Sequence, residues 1–356
     1  MFSKGSKLTG SAITPWNYPH LCTVNSVIPA LLAGNAVILK PAPQTPVPSE
    51  RVLSAFIAAG LPPNVLQVIH LSQEVTLNNL CTDPRVDYVA FTGSVAGGRA
   101  VQEAAARGKG FKRVGLELGG KDPAYVRPDA DLPYTVANLV DGAFFNSGQS
   151  CCAIERIYVH SAVYDEFVKL FAEQTKKDYK LGDPTKPDTS LGPVVSLASA
   201  ARIRKQVAEA IAAGATALVS EKDFPGAKEG TTLVGPTVLV NVDHSMEVMT
   251  EETFGPVIGI MKVESDDEAL ALMNDSPYGL TASIWTNAAD PASVAVFNSF
   301  VDDLETGTVY MNRADALDPA LPWTGVKNSG RGLSLSTLGY DQLTHAKAVM
   351  MRVKTA

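Results

Sequence analysis

Histidine and cysteine are scarce in this chain: five and four respectively among 356 residues. No HExxH, no i, i+4 histidine pair and no CxxC occurs, so the sequence offers no metal centre. The cysteines Cys22, Cys81, Cys151 and Cys152 follow no disulfide-framework spacing, and adjacent cysteines such as the last two rarely bridge each other without strain. A reducing, cytoplasmic setting is expected. Clustered basic charge is also missing. Thirty Lys and Arg stand against 37 acidic residues, for a net charge of −7, which argues against nucleic acid or an anionic membrane surface as the main partner and for a small molecule. The longest apolar run, Val24 to Leu39, is interrupted by Asn25, Pro29, Gly34 and Asn35 and falls short of the roughly 20 apolar residues a bilayer span requires. It reads as a buried helix entering a buried strand. The opening residues carry no apolar stretch or small-residue cleavage site of a secretory leader.

What is present is alternation. NAVILK reads as a strand, Thr45 to Gly60 as a helix, VLQVIH as a second strand, VDYVAFTGS (86 to 94) as a third and RVGLELGG (113 to 120) as a fourth, with helical stretches between them. That order predicts βαβ units and a parallel sheet, with ligands at the carboxyl ends of its strands. A second α/β half follows. It contains a helix from Asp131 to Phe145, the strand ERIYVH, helices at Tyr164 to Lys177 and Ser199 to Ala213, and strand-like runs at TLVGPTVLVNV, VIGIMKV and TASIWT. A capping box at Ser265 to Glu268 opens a short helix to Asn274. The domain boundary is expected near Gly119 and Gly120. After about Asp315 a Gly- and Ser-rich wrapping loop leads to AVMMRV, an apolar terminal strand whose edge needs a partner.

Chemistry-bearing residues sit at the predicted strand ends and turns. Cys151, in FFNSGQSCCA (144 to 153), is a candidate nucleophile, although a cysteine pair after an apolar helix is as often simple packing. A helix starting after Gly93 and Ser94 offers free amides to a pyrophosphate, but GxGxxG is absent and many such turns bind nothing. Asn17, in the rigid TPWNYP turn, can serve as an oxyanion donor or as ordinary turn chemistry.

The segments PWNYP, ILKPAPQTP, FTGSVAGGR, LELGGKDP, FFNSGQSCCA, EETFGPV, NDSPYGLTASIW and PWTGVKNSGRG resemble the aldehyde dehydrogenase superfamily, in family order and at family-like spacing over nearly the whole chain. The resemblance implies a Rossmann-like cofactor domain over 1–118 that binds its dinucleotide without GxGxxG, a second α/β catalytic domain over 119–323, and a wrapping and oligomerisation segment over 324–356. It implies oxidation of an aldehyde to a carboxylic acid. Cys151 would attack the aldehyde carbon, with Asn17 and the Cys151 backbone N–H holding the oxyanion. Hydride would pass to a nicotinamide, and Glu117 would activate water to release the acid from the thioester. Lys40 and Glu252 would hold the cofactor's ribose hydroxyls, Gly93 and Ser94 its pyrophosphate, Phe254 would pack near the nicotinamide and Trp16 would form part of the crevice. Cys152 would be a bystander.

Family members usually carry a long segment before PWN, where 14 residues precede Pro15 here, so an incomplete N-terminal part of the fold is expected. The residue after the lysine strand that is acidic in many NAD-preferring members corresponds to Pro43, which leaves NADP open beside NAD. No metal is expected, and the assembly expected is a dimer or tetramer of identical chains. A catalytically silent binding or structural protein of the same fold is the competing reading.

Overall fold

The computed structural model of the chain describes residues 2–4 and 8–353. The chain divides into two compact units: Met1–Leu118 joined by Leu317–Thr324 and the chain from Gly330 onward, and Gly119–Ala316 joined by Gly325–Ser329. The change of unit falls between Leu118 and Gly119. The Gly-rich C-terminal segment belongs to the first unit, apart from residues 325–329.

The first unit is built on a six-stranded sheet in the order Gly330–Arg331, Arg113–Glu117, Tyr88–Thr92, Thr9–Ile13, Ala36–Lys40, Leu66–Val68. All neighbours are parallel except the first pair. Helices Pro19–Leu32, Val47–Ala58 and Val95–Arg107 supply the crossovers. The core forms two clusters, one around Val89, Val101, Ala104 and Leu116 and the other around Val27, Val37 and Leu39.

Thr9–Ile13 is central to this sheet, yet it is absent from the sequence expectation. TGSAI has a Gly and two hydroxyls in place of a β-branched run, and it becomes a strand because parallel partners on both sides complete its hydrogen bonds. Expected elements also prove shorter. The helix set at Thr45 to Gly60 is Val47–Ala58, and the strand VLQVIH contracts to Leu66–Val68.

The second unit holds a seven-stranded sheet in the order Thr308–Met311, Thr281–Trp285, Asp122–Val126, Ile154–His160, Val257–Val263, Thr237–Val240, Thr216–Val219, with only the last pair antiparallel. Helix Leu132–Phe144 starts where the Asp131 carboxylate accepts the Tyr134 N–H, and it buries Val136, Leu139, Val140 and Phe144 against the sheet core. The Ser265 hydroxyl likewise caps Asp266–Asn274 by accepting the Glu268 N–H.

The terminal strand is corrected by the structure. Strand pairing covers Ala346–Ala348, which lies antiparallel to Phe2–Lys4, while residues 349–353 are outside any strand. Val349, Met350, Met351 and Val353 are exposed. Among the described residues no helix is long and apolar enough to cross a membrane, and no cluster of three His, Cys, Asp or Glu could hold a metal.

Candidate active site

In the first unit, strand register brings the candidate residues to one edge of the sheet. Ile13 pairs with both Lys40 and Phe91, Phe91 with Leu116, and Thr92 with Glu117. The carboxyl ends of four adjacent strands therefore stand side by side. Thr14 N–H donates to the Lys40 carbonyl at 3.1 Å and Gly93 N–H to the Glu117 carbonyl at 3.0 Å, extending the ladder one residue past the strands. Trp16 and Asn17, both half-buried, follow in the turn before helix Pro19–Leu32.

The helix Val95–Arg107 begins at this edge. Ser94 is its N-cap, its hydroxyl accepting the Gly97 N–H at 3.2 Å, and no acidic side chain occupies the first turn. A Cβ on Gly97 would stand 2.8 Å from the Phe91 ring, and one on Gly98 would stand 2.6 Å from Leu118, so the two glycines let the helix start lie on these side chains without displacing them. An exposed, uncharged helix start of this kind fits a pyrophosphate. Lys40 is buried, and burial lowers its pKa.

Glu117 faces a cavity of about 430 Å³ within the first unit, lined among others by Leu21, Val24, Ile28, Leu333 and Leu343. Burial raises its pKa, opposed by a hydrogen bond from the Ser334 hydroxyl at 2.5 Å.

In the second unit the cysteine turn is a backbone device. Asn146, Ser147 and Gly148 take φ of 53°, 57° and 68°, three consecutive left-handed residues before Gln149-Ser150-Cys151. The strain is held by hydrogen bonds: Ser147 Oγ to the Gly192 carbonyl at 2.8 Å, Gln149 Nε2 to the Asn146 carbonyl at 3.1 Å, and Val195 N–H to Gln149 Oε1 at 2.8 Å. Gly192 and Val195, in the proline-containing connector between helices Tyr164–Asp178 and Leu197–Ala212, thus brace this turn. Cys151 is left half-buried, whereas Cys152 is buried at 7% exposure. Hydrogen bonds from the Cys151 thiol and the Ser150 hydroxyl lower the Cys152 pKa against its burial. That stabilises charge on the enclosed sulfur, while Cys151 is the more exposed of the two.

The Glu252–Phe254 loop packs beside this turn. A Cβ on Gly148 would stand 2.2 Å from the Gly255 carbonyl oxygen, and one on Gly119 would stand 2.5 Å from the Glu252 carboxylate. Gly120 N–H donates to Glu252 Oε1 at 3.1 Å. Burial, aided by repulsion from Glu155, raises the Glu252 pKa to about 7. Phe254 is itself left-handed, at φ 50°.

Three residues that sequence reasoning passed over fix this loop. Glu155 accepts the Thr253 N–H at 2.7 Å and the Phe254 N–H at 2.9 Å. Lys121, fully buried, pairs with Glu155 at 2.6 Å and donates to Thr253 Oγ1 at 3.2 Å. Arg202 donates to the carbonyls of Glu252 and Thr253 at 3.0 and 2.8 Å. The available signal was Glu155, beside Arg156 in the strand IERIYVH, since a buried charge needs a partner.

Asn17, Lys40, Gly93, Ser94 and Glu117 thus gather in the first unit, and Cys151, Glu252 and Phe254 in the second. The family model of the aldehyde dehydrogenase family matches residues 9–349. The chain is 38% identical over 340 residues to a succinate-semialdehyde dehydrogenase [NADP(+)] of Mycobacterium avium (strain 104), covering 95% of this chain and 69% of that protein. Its structure is similar to that of lactaldehyde dehydrogenase from Escherichia coli, with TM-score 0.91 and 33% identity over 98% of this chain and 71% of that one. It is also similar to betaine aldehyde dehydrogenase from Staphylococcus aureus in complex with NAD+, with TM-score 0.89 and 31% identity over 97% and 67% of the two chains. The chain belongs to the aldehyde dehydrogenase family, enzymes that oxidise aldehydes.

Proposed function

We propose that this chain oxidises an aldehyde to its carboxylic acid with Cys151 as nucleophile and Glu117 as the base of acid release. The observation that carries the reading is the braced left-handed turn that leaves Cys151 half-buried and its neighbour Cys152 enclosed. The Cys151 thiolate adds to the aldehyde carbon, giving a thiohemiacetal whose oxyanion the Asn17 amide and the Cys151 N–H stabilise. One such donor is worth about 3 to 4 kcal/mol of barrier. NAD or NADP supplies the hydride acceptor for this oxidation. Glu117, ionised, takes a proton from water as the water adds to the thioester carbonyl; the C–S bond breaks and Cys151 leaves as thiolate.

For the dinucleotide, Lys40 and Glu252 suit ribose hydroxyls, the Ser94 helix start with Gly93 suits the pyrophosphate, Phe254 suits packing at the nicotinamide end and Trp16 the crevice wall. The relatives' cofactors, NADP+ in one and NAD+ in another, leave both acceptable here. The few, irregularly spaced cysteines favour a cytoplasmic setting. The exposed apolar residues Val349 to Val353 favour a homo-oligomer.

Growth of reduced-nicotinamide absorbance on adding aldehyde and NAD or NADP tests the reading. Cys151→Ala should abolish it and Cys152→Ala should leave it. No thermal shift with either cofactor, and no esterase activity on an activated ester, would favour a catalytically silent protein of this fold.

A further inference from the structure

The C-terminal strap delivers one hydroxyl to Glu117. Gly330 pairs with Glu117 and Arg331 with Leu116 in the antiparallel strand that closes the sheet edge. Gly330, at φ 136°, lies so close that a Cβ there would stand 2.0 Å from the Leu116 carbonyl oxygen. Four residues on, Ser334 is fixed at both backbone groups: its N–H donates to the Trp323 carbonyl at 2.9 Å and its carbonyl accepts the Trp323 N–H at 2.8 Å. Thr324 Oγ1 binds the Gly332 carbonyl at 2.7 Å beside them. Leu335 and Ser336 then take left-handed φ of 60° and 49°, turning the chain away. The Ser334 hydroxyl is left 2.5 Å from Glu117 Oε1.

We propose that Ser334 is a positioning residue for Glu117: its hydroxyl donates to one carboxylate oxygen and leaves the other to accept the water proton. This rests on Glu117 being the base of acid release. A donor to one oxygen does two things. It fixes the carboxylate's rotation, and it favours the ionised form that a base requires. The remaining polar groups lining the cavity are the Tyr88 and Tyr340 hydroxyls, the Arg331 guanidinium, Thr92, Asn25, Ser26, Ser336 and Gln342. Tyr88 is pushed up in pKa by burial and by Glu117, so it stays neutral and adds no second negative charge. Arg331 is directed to Gln102, donating to its Oε1 at 3.3 Å. Ser334 is the group whose hydrogen bond opposes the effect of burial on Glu117.

The test follows the rate of acid release from the acyl-enzyme of the full chain against pH, using an activated ester to load the cysteine. In Ser334→Ala burial acts on Glu117 unopposed, so the carboxylate ionises at higher pH. The release profile should move to the alkaline side, with release at pH 7 slowed at least about threefold and recovery as pH rises. Ser334→Thr keeps the donor and should keep the wild-type profile. A uniform loss at every pH, or an unchanged profile in Ser334→Ala, would overturn the proposal. Should Ser334→Ala fail to fold, Ser334→Cys, nearly isosteric and a weaker donor, should show the same alkaline displacement, and its absence would overturn the proposal equally. Glu117→Gln separates the two claims. If it releases acid at the wild-type rate, the role of Glu117 fails; if it is slow while Ser334→Ala is unshifted, only the role of Ser334 fails.

Discussion

Gly120 lies so close to Cys151 that a Cβ on it would stand 2.6 Å from the Cys151 carbonyl oxygen, and its own N–H donates to Glu252 at 3.1 Å. One residue without a side chain therefore sets the spacing between the cysteine turn and the Glu252 loop. A backbone oxygen cannot swing aside as a flexible side chain can, so the cysteine backbone must move to admit a methyl group. Gly120→Ala should fold, by circular dichroism, and lose at least about tenfold in kcat, because misplacement by a fraction of an ångström is costly in such sites. Wild-type kcat in that variant would show that the spacing is not critical.

The Glu252 carboxyl, with its pKa pushed up to about 7 by burial, is largely neutral below that pH and ionised above it. The ionised form is the better acceptor for ribose hydroxyls. Affinity for NAD or NADP, measured by quenching of intrinsic fluorescence, should strengthen as pH rises through about 7. Glu252→Gln should bind more weakly and without that step. A step of equal size in Glu252→Gln would assign it to another group.

The Lys121–Glu155 pair, with exposures of 0% and 3%, is a buried ion pair with backbone duties. Removing Glu155 leaves the Lys121 ammonium buried without its partner and two N–H groups, of Thr253 and Phe254, unpaired. Glu155→Ala should cost about 3 to 5 kcal/mol in urea unfolding, while Lys121→Met with Glu155→Leu together should recover much of it. Equal losses in the single and double variants would mean that the N–H groups, and not the charge, dominate.

The alternating pattern of the chain was legible because helices such as Val95–Arg107 and strands such as Val257–Val263 carry their own periodicity and caps. The sequence was silent where context makes the strand. Thr9–Ile13 has little intrinsic strand preference, and Asp122–Val126 contains a Pro and a buried acid whose carboxyl is satisfied by Thr281 at 2.6 Å. Thr216–Val219, Thr308–Met311 and helix Pro291–Asp303 were likewise unforeseen. In TLVGPTVLVNV only Thr237–Val240 is strand, because Gly235 and Pro236 end the regular ladder.

The candidate site divides in the same manner. Cys151, Glu117, Asn17 and Glu252 stood out through residue type and motif. Their supports did not, since Ser334, Glu155 and Arg202 act through partners 217, 98 and 51 positions away in sequence. Such partnerships exist only once the chain is folded.

The most direct test concerns the two adjacent cysteines, because hydrogen bonding favours charge on Cys152 while exposure favours Cys151. The Glu117→Gln enzyme, incubated with aldehyde and NAD or NADP, should accumulate an acyl group that peptide mass spectrometry places on Cys151. Cys152→Ala in the same background should carry the same label. Acylation of Cys152, or undiminished acid formation by Cys151→Ala, would contradict the account.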